Sequence, residues 1–134
     1  MGIADGDELK NMKQKLEELA NQVETEIRET GRLIVAGIPS QRSSDKTKPW
    51  KGLCRPAVEK LIELAPELKI KRLAFNFGNG GFDTHNHIIG QVHTTEGLYK
   101  IDPTVRQYLP EAQLVYGPQD VYPLKIHPRS LRIF

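Results

Sequence analysis

Apolar positions recur in two rhythms along this chain, and the change from one to the other separates a helical front from a strand-rich back. Between residues 7 and 30, Leu9, Met12, Leu16, Leu19, Val23 and Ile27 follow one another at intervals of three and four. That spacing lines them along one side of an α-helix, Glu and Lys fill the other sides, and Gly31 supplies a stop. The stripe is almost as narrow as a coiled-coil seam. It suits packing on the domain, pairing with a second copy, or service as a linker within a longer polypeptide.

Residues Leu33 to Ile38 are apolar and short, fitting either a strand or a buried turn of helix. From Pro39 to Pro49 the chain is polar and interrupted by Ser, Asp and Pro, the composition of a loop. A second helical face begins at Cys54, runs through Val58, Leu61, Ile62, Leu64 and Ala65, and ends near Pro66. Pro56 belongs in a first helical turn, where its missing N–H costs nothing, so Cys54 is predicted at or beside the N-cap. The rhythm then shifts to alternation. Ile70 to Phe77 reads as a strand, Gly78-Asn79-Gly80-Gly81 breaks the chain, and Asn86 to Thr94 and Gly97 to Asp102 read as two more strands. Thr95-Glu96 is their tight connection, and Val121 to Ile126 is predicted as a last strand. Helices followed by antiparallel hairpins predict an α+β fold, with residues 1–31 a helix or linker and 32–134 the domain proper.

Composition narrows the field. A chain of 134 residues holds one domain with a modest core. A formal net charge of +2 gives no broad basic footprint for nucleic acid or a membrane surface. No apolar run approaches a membrane span and none reads as a signal peptide, so a soluble protein is expected. Gly2-Ile3-Ala4-Asp5-Gly6 lacks the Ser or Thr of a myristoylation motif. The single cysteine excludes an internal disulfide.

That cysteine is also the best functional clue. A thiol at a helix N-terminus feels partial positive charge, which favours thiolate, and Arg55 adds to the effect. A histidine in contact would take the proton, and an acid on the far ring nitrogen would orient the imidazole. The helix start would offer unpaired N–H groups to an oxyanion. In a hairpin centred on Thr95-Glu96, opposed residue numbers sum to about 190, which sets His87 and Asp102 nearly opposite one another. His85 points to the same face but lies further out of register, a second choice as base.

Gly52-x-Cys54 opening a helix, His87 on a strand, and Tyr99-x-Ile101-Asp102-Pro103-Thr104 on the next resemble the papain-like and transglutaminase-like cysteine superfamily. Among its members, the papain-fold domains of bacterial polymorphic toxins are most similar, over about residues 50–108. The resemblance implies a papain-like architecture, with the nucleophile-bearing helix packed on an antiparallel sheet behind an N-terminal amphipathic helix. It implies Cys54 as nucleophile, His87 as base and Asp102 as orienting acid in a cofactor-free protease or glutamine deamidase. It further implies a protein substrate, delivery as a toxin domain into a target-cell cytoplasm, and a cognate immunity protein. Two departures stand out: Arg55 replaces the aromatic residue that commonly follows the cysteine, and no glutamine lies just before it. Gln41 and Gln107 are candidates for the second oxyanion donor, which leaves protease, deamidase and transferase all open.

Each residue also has a plainer reading. Cys54 alone would be a small buried hydrophobe, His87 a strand histidine bonded to a carbonyl, and Asp102 a cap for the turn at Pro103. Trp50 suits a cleft wall or plain core equally. His85 and His87, with His93 or Asp83, could instead hold zinc, although no third ligand has comparable spacing. The glycine run lacks the Lys-Ser/Thr of a phosphate loop, and a flexible loop beside the site suits it better. Lys125, His127, Arg129 and Arg132 read as solvated surface. A non-enzymatic interaction module, binding through the helix stripe, is the third class.

Overall fold

The computed structural model describes residues 5–43, 52–78 and 84–134. It is an α+β arrangement of two helices and an antiparallel sheet. Helix α1 (Asp5–Thr30) ends where Gly31 adopts a left-handed φ of 72° and returns its N–H to the Ile27 carbonyl, a terminus that glycine accommodates without strain. Leu16, Leu19, Ala20, Val23 and Ile27 are buried and belong to the same core as the sheet. The side chain of Leu9 lies outside the described part. Glu24, itself buried, receives Arg106 at 2.8 Å and so ties α1 to a connection between two strands of the sheet. Among the described residues, no helix is long and apolar enough to cross a membrane.

Residues 33–38 follow the strand reading, not the helical one, but as two short strands. They form most of a hairpin of β1 (Ile34–Val35) and β2 (Ile38–Pro39), turned by Ala36 and Gly37. Both turn residues have positive φ, 52° and 77°, the backbone that matches the right-handed twist of paired strands. Only Leu33 of this apolar run is fully buried, and Ile38 remains 70% exposed.

Helix α2 (Cys54–Leu64) begins after Gly52, which takes a φ of 81°, and buries Ala57, Val58 and Leu61. Strands β3 (Lys71–Gly78), β4 (Thr84–Thr94), β5 (Gly97–Ile101), β6 (Val115–Tyr116) and β7 (Arg132–Ile133) form one sheet in the order β6-β5-β4-β3-β7. Strand β4 pairs with β3 along Gly78↔Thr84 to Lys71↔Gln91, but with β5 only from Gly90↔Ile101 to Thr94↔Gly97. From residue 84 to residue 89, the edge of β4 that faces away from β3 therefore has no strand on it among the described residues. Helix α2 lies against β4, where a Cβ on Gly90 would come within 3.1 Å of Ile70 and 3.4 Å of Leu61. The missing side chain lets helix and strand approach closely.

The segment Val121 to Ile126 is not the predicted strand. Pro123 removes a ladder donor in its middle, Val121 is 87% exposed, and only Ile126 makes a bridge, to Phe77. The sheet is completed instead by β6 and β7, two residues each and too short for alternation to register in sequence.

Candidate active site

Leu53 is the N-cap of α2 and is wholly buried; its carbonyl accepts the N–H of Ala57. A leucine has no side-chain oxygen to offer the first turn, so α2 starts without a side-chain cap and Cys54 is its first residue. Pro56 removes one of the orphan donors, which leaves the N–H groups of Cys54 and Arg55 without intrahelical acceptors.

His87 and Asp102 are both buried, their side chains fully shielded from solvent. Imidazole Nε2 lies 3.0 Å and 2.9 Å from the two carboxylate oxygens of Asp102, to which it donates. The pair is diagonal, not directly opposed. Ile101 faces Gly90, so Asp102 continues the register beside Ile89, one step of two residues from His87. Asp102 closes the turn that follows with its backbone carbonyl, which accepts the Val105 N–H, and its own N–H goes to the Leu114 carbonyl. Its carboxylate is thereby free for other work.

With Nε2 committed, Nδ1 is the nitrogen left for the thiol; it is buried and has no hydrogen-bond partner among the described residues. The state of the pair follows from competing influences. Burial pushes the Cys54 thiol up, but the nearby His87 imidazole, as a donor and through its charge, and the Ile88 backbone amide together bring it below its ordinary value. Asp102 opposes this weakly. Burial likewise works against a charged His87, yet the charge and hydrogen bond of Asp102, with a smaller contribution from Cys54, raise it to about 9. Both shifts favour thiolate facing imidazolium.

The imidazole is held by rings as well as by hydrogen bonds. Phe75, Phe77 and Tyr108 meet it edge-on, with centroids 5.7, 6.1 and 5.3 Å away. Tyr122, which sequence reasoning missed, donates its hydroxyl to Asp102 at 2.6 Å. Burial, together with the Asp102 charge, holds that phenol far above its ordinary pKa, so it remains a donor. Its position in a presumed strand concealed it, because a strand reading gives Tyr122 a backbone role. Replacing Tyr122 by phenylalanine is expected to leave Asp102 one bond short and to cost about 1–3 kcal/mol, read from urea unfolding.

The other sequence-derived candidates are dispersed. His85 is exposed, its ring lying against Phe77 (5.3 Å) and Tyr108 (6.0 Å). Gln107 donates its amide to Thr104 Oγ1 at 3.2 Å, and Gln41 is exposed beyond β2. Neither glutamine lines the cavity at Cys54. His93 is exposed at the far end of β4. Trp50, Asp83 and the stretch Asn79-Gly80-Gly81 lie outside the described residues. Among those described, no group of three His, Cys, Asp or Glu side chains is arranged to hold a metal ion.

What the arrangement can do is chemical rather than structural. A carboxylate bonds an imidazole, and that imidazole and a thiol line one cavity of about 290 Å³, the sulfur at an uncapped helix start. No family model, curated protein or solved structure matches the chain.

Proposed function

We propose that the protein is a cysteine-dependent hydrolase of amide bonds, working through Cys54, His87 and Asp102 in a papain-like domain. The observation that carries this reading is the buried His87, bonded to Asp102 through Nε2 while its thiol interaction with Cys54 lowers the thiol pKa.

The chemistry runs in two halves. Thiolate attacks the amide carbonyl, and the oxyanion forms beside the first-turn N–H groups of α2, where helix dipole and unpaired donors favour negative charge. Imidazolium gives its proton to the departing amine, which leaves a thioester on Cys54. His87, now neutral, takes a proton from water; the hydroxide expels the thiolate and the acid product leaves. Asp102 stays ionised throughout and holds the ring in place, with Tyr122 bracing the carboxylate. When the amine released is ammonia from a glutamine side chain, the same steps give deamidation, and when it is a peptide amine they give cleavage.

The resemblance carried by Cys54, His87 and the Tyr99-x-Ile101-Asp102-Pro103-Thr104 motif is what suggests a protein substrate, toxin delivery and a cognate immunity protein. The testing experiment uses activated acyl esters of short peptides. Intact mass is expected to show one acyl group added to the native chain, mapped to Cys54 and discharged by water. A Cys54→Ala chain with native circular dichroism should acquire none. Acylation that persists in Cys54→Ala would overturn the reading.

A further inference from the structure

The cavity beside the thiol has a charge arrangement that bond cleavage itself does not need. Besides Cys54 its walls include Arg55, Asn76, Asn86, Ile88 and Arg132. Asn76 and Asn86 are direct cross-strand partners, and Arg132 pairs with Ala74, so these residues sit on one face of the sheet. Arg55 adds its side chain from the first turn of α2. Among the described residues, no acidic side chain lines the cavity.

The neighbouring arginines are already answered. Arg72 is held by Glu59, with Nη2 2.6 Å from one oxygen, and Arg106 by Glu24. Among the described residues, neither Arg55 nor Arg132 has a carboxylate within ion-pair distance. Arg55 does influence Glu59, but that carboxylate is already engaged by Arg72. The balance at the site can be drawn up without knowing where the proton is. Thiol plus imidazole and thiolate plus imidazolium are both neutral as pairs. Counted among the described residues, the two guanidinium groups are then set against one carboxylate, that of Asp102, which lies outside the cavity, and one positive charge is left over. That surplus matches a monoanion better than a phosphate dianion, and guanidinium forks and carboxamides are suited to a carboxylate's two planar oxygens.

We propose that this cavity is a carboxylate-binding subsite. The substrate then carries a carboxylate within a few bonds of the amide carbonyl that Cys54 attacks, supplied by an acidic side chain or by a chain terminus. This deepens the hydrolase reading and rests on it.

The test uses the full chain and two small reagents of nearly equal shape. Cys54 is alkylated with iodoacetate and with iodoacetamide at about pH 6.5, each rate divided by that of 2-mercaptoethanol. The proposal expects the anionic reagent to be preferred, and expects Arg55→Gln and Arg132→Gln each to reduce the preference about three- to fivefold. The ratio is the readout because a general loss of thiolate lowers both rates together. The His87 imidazolium could attract iodoacetate unaided, so a preference unchanged in both variants overturns the subsite.

Protection from iodoacetamide separates the two sources. Slowing by N-acetylglutamate amide supports a side-chain carboxylate, and slowing by N-acetylglutamine supports a terminal one. The neutral N-acetylglutamine amide is expected to do little. Equal protection by the neutral compound, no protection by any of them, or stronger protection by inorganic phosphate would overturn the assignment. A Cys54 that reacts with iodoacetamide no faster than the reference thiol refutes the hydrolase reading itself. A fast thiol without anion preference refutes only the subsite.

Discussion

Removing the His87 ring is expected to move the alkylation profile of Cys54 to higher pH and, on the hydrolase proposal, to cut amide hydrolysis by about 10²–10⁴-fold. Burial is the largest influence on the thiol and acts to keep it protonated; the imidazole interactions are what reverse the sign. In His87→Ala burial stands nearly unopposed, and only the Ile88 amide still favours thiolate. The measurement is the rate of iodoacetamide labelling against pH, in the native chain and in the variant. Coincident profiles would mean that the thiol takes nothing from the ring. His87→Gln, which fills more of the space among Phe75, Phe77 and Tyr108, guards against a collapse of the pocket being mistaken for loss of chemistry.

The second large effect is on stability. Asp102→Ala leaves His87 buried without its acid, and breaking a buried pair by removing one partner typically costs about 3–5 kcal/mol. The cost should depend on pH in a definite direction. His87 is raised in the folded chain from an ordinary value of 6.5 to about 9. A raised pKa means the folded state holds the proton more tightly than the unfolded state. Its stabilisation is complete below about pH 6.5 and is lost as pH climbs through about 9. In Asp102→Ala the burial influence dominates instead, and folding must drive the proton off the ring. Urea unfolding of both chains should therefore show a gap that is wide at pH 6 and narrower near pH 9.5. A constant gap across that range would show that Asp102 acts through packing or backbone closure, not through charge. Asp102→Asn, which keeps the shape, is the variant to use should the alanine chain not fold.

Much of this architecture could be read in the residues before any coordinates. The switch from spacing of three and four to alternation located α2, β3, β4 and β5 to within two residues, because each has enough positions for its rhythm to be heard. Pro56 placed Cys54 at a helix start for a local steric reason that tertiary structure did not disturb. Hairpin arithmetic brought His87 to Asp102 although the true register differs slightly, since a diagonal neighbour is still within side-chain reach.

The failures have equally physical causes. Two-residue strands such as β6 and β7 are held by partners distant in sequence and carry no periodic signature. The Val121 to Ile126 run was misread because apolar residues there contribute single side chains to the core and the site, Leu124 to one and Tyr122 to the other. Arg132 is exposed, as its basic neighbourhood suggests, but its place beside the thiol was not legible. Only the pairing of β7 with β3 brings it to the cavity at Cys54.

The solitary status of Cys54 has a cost that follows from its environment. A sulfur whose proton is easily lost is also one that peroxide attacks readily, giving a sulfenic acid. The chain contains no second cysteine to capture that species as an internal disulfide. Its rescue must come from an outside thiol such as glutathione, and without one the sulfur proceeds to oxidation states that reductants cannot reverse. Outside a reducing milieu, then, oxidant exposure is expected to limit how long the thiol stays usable.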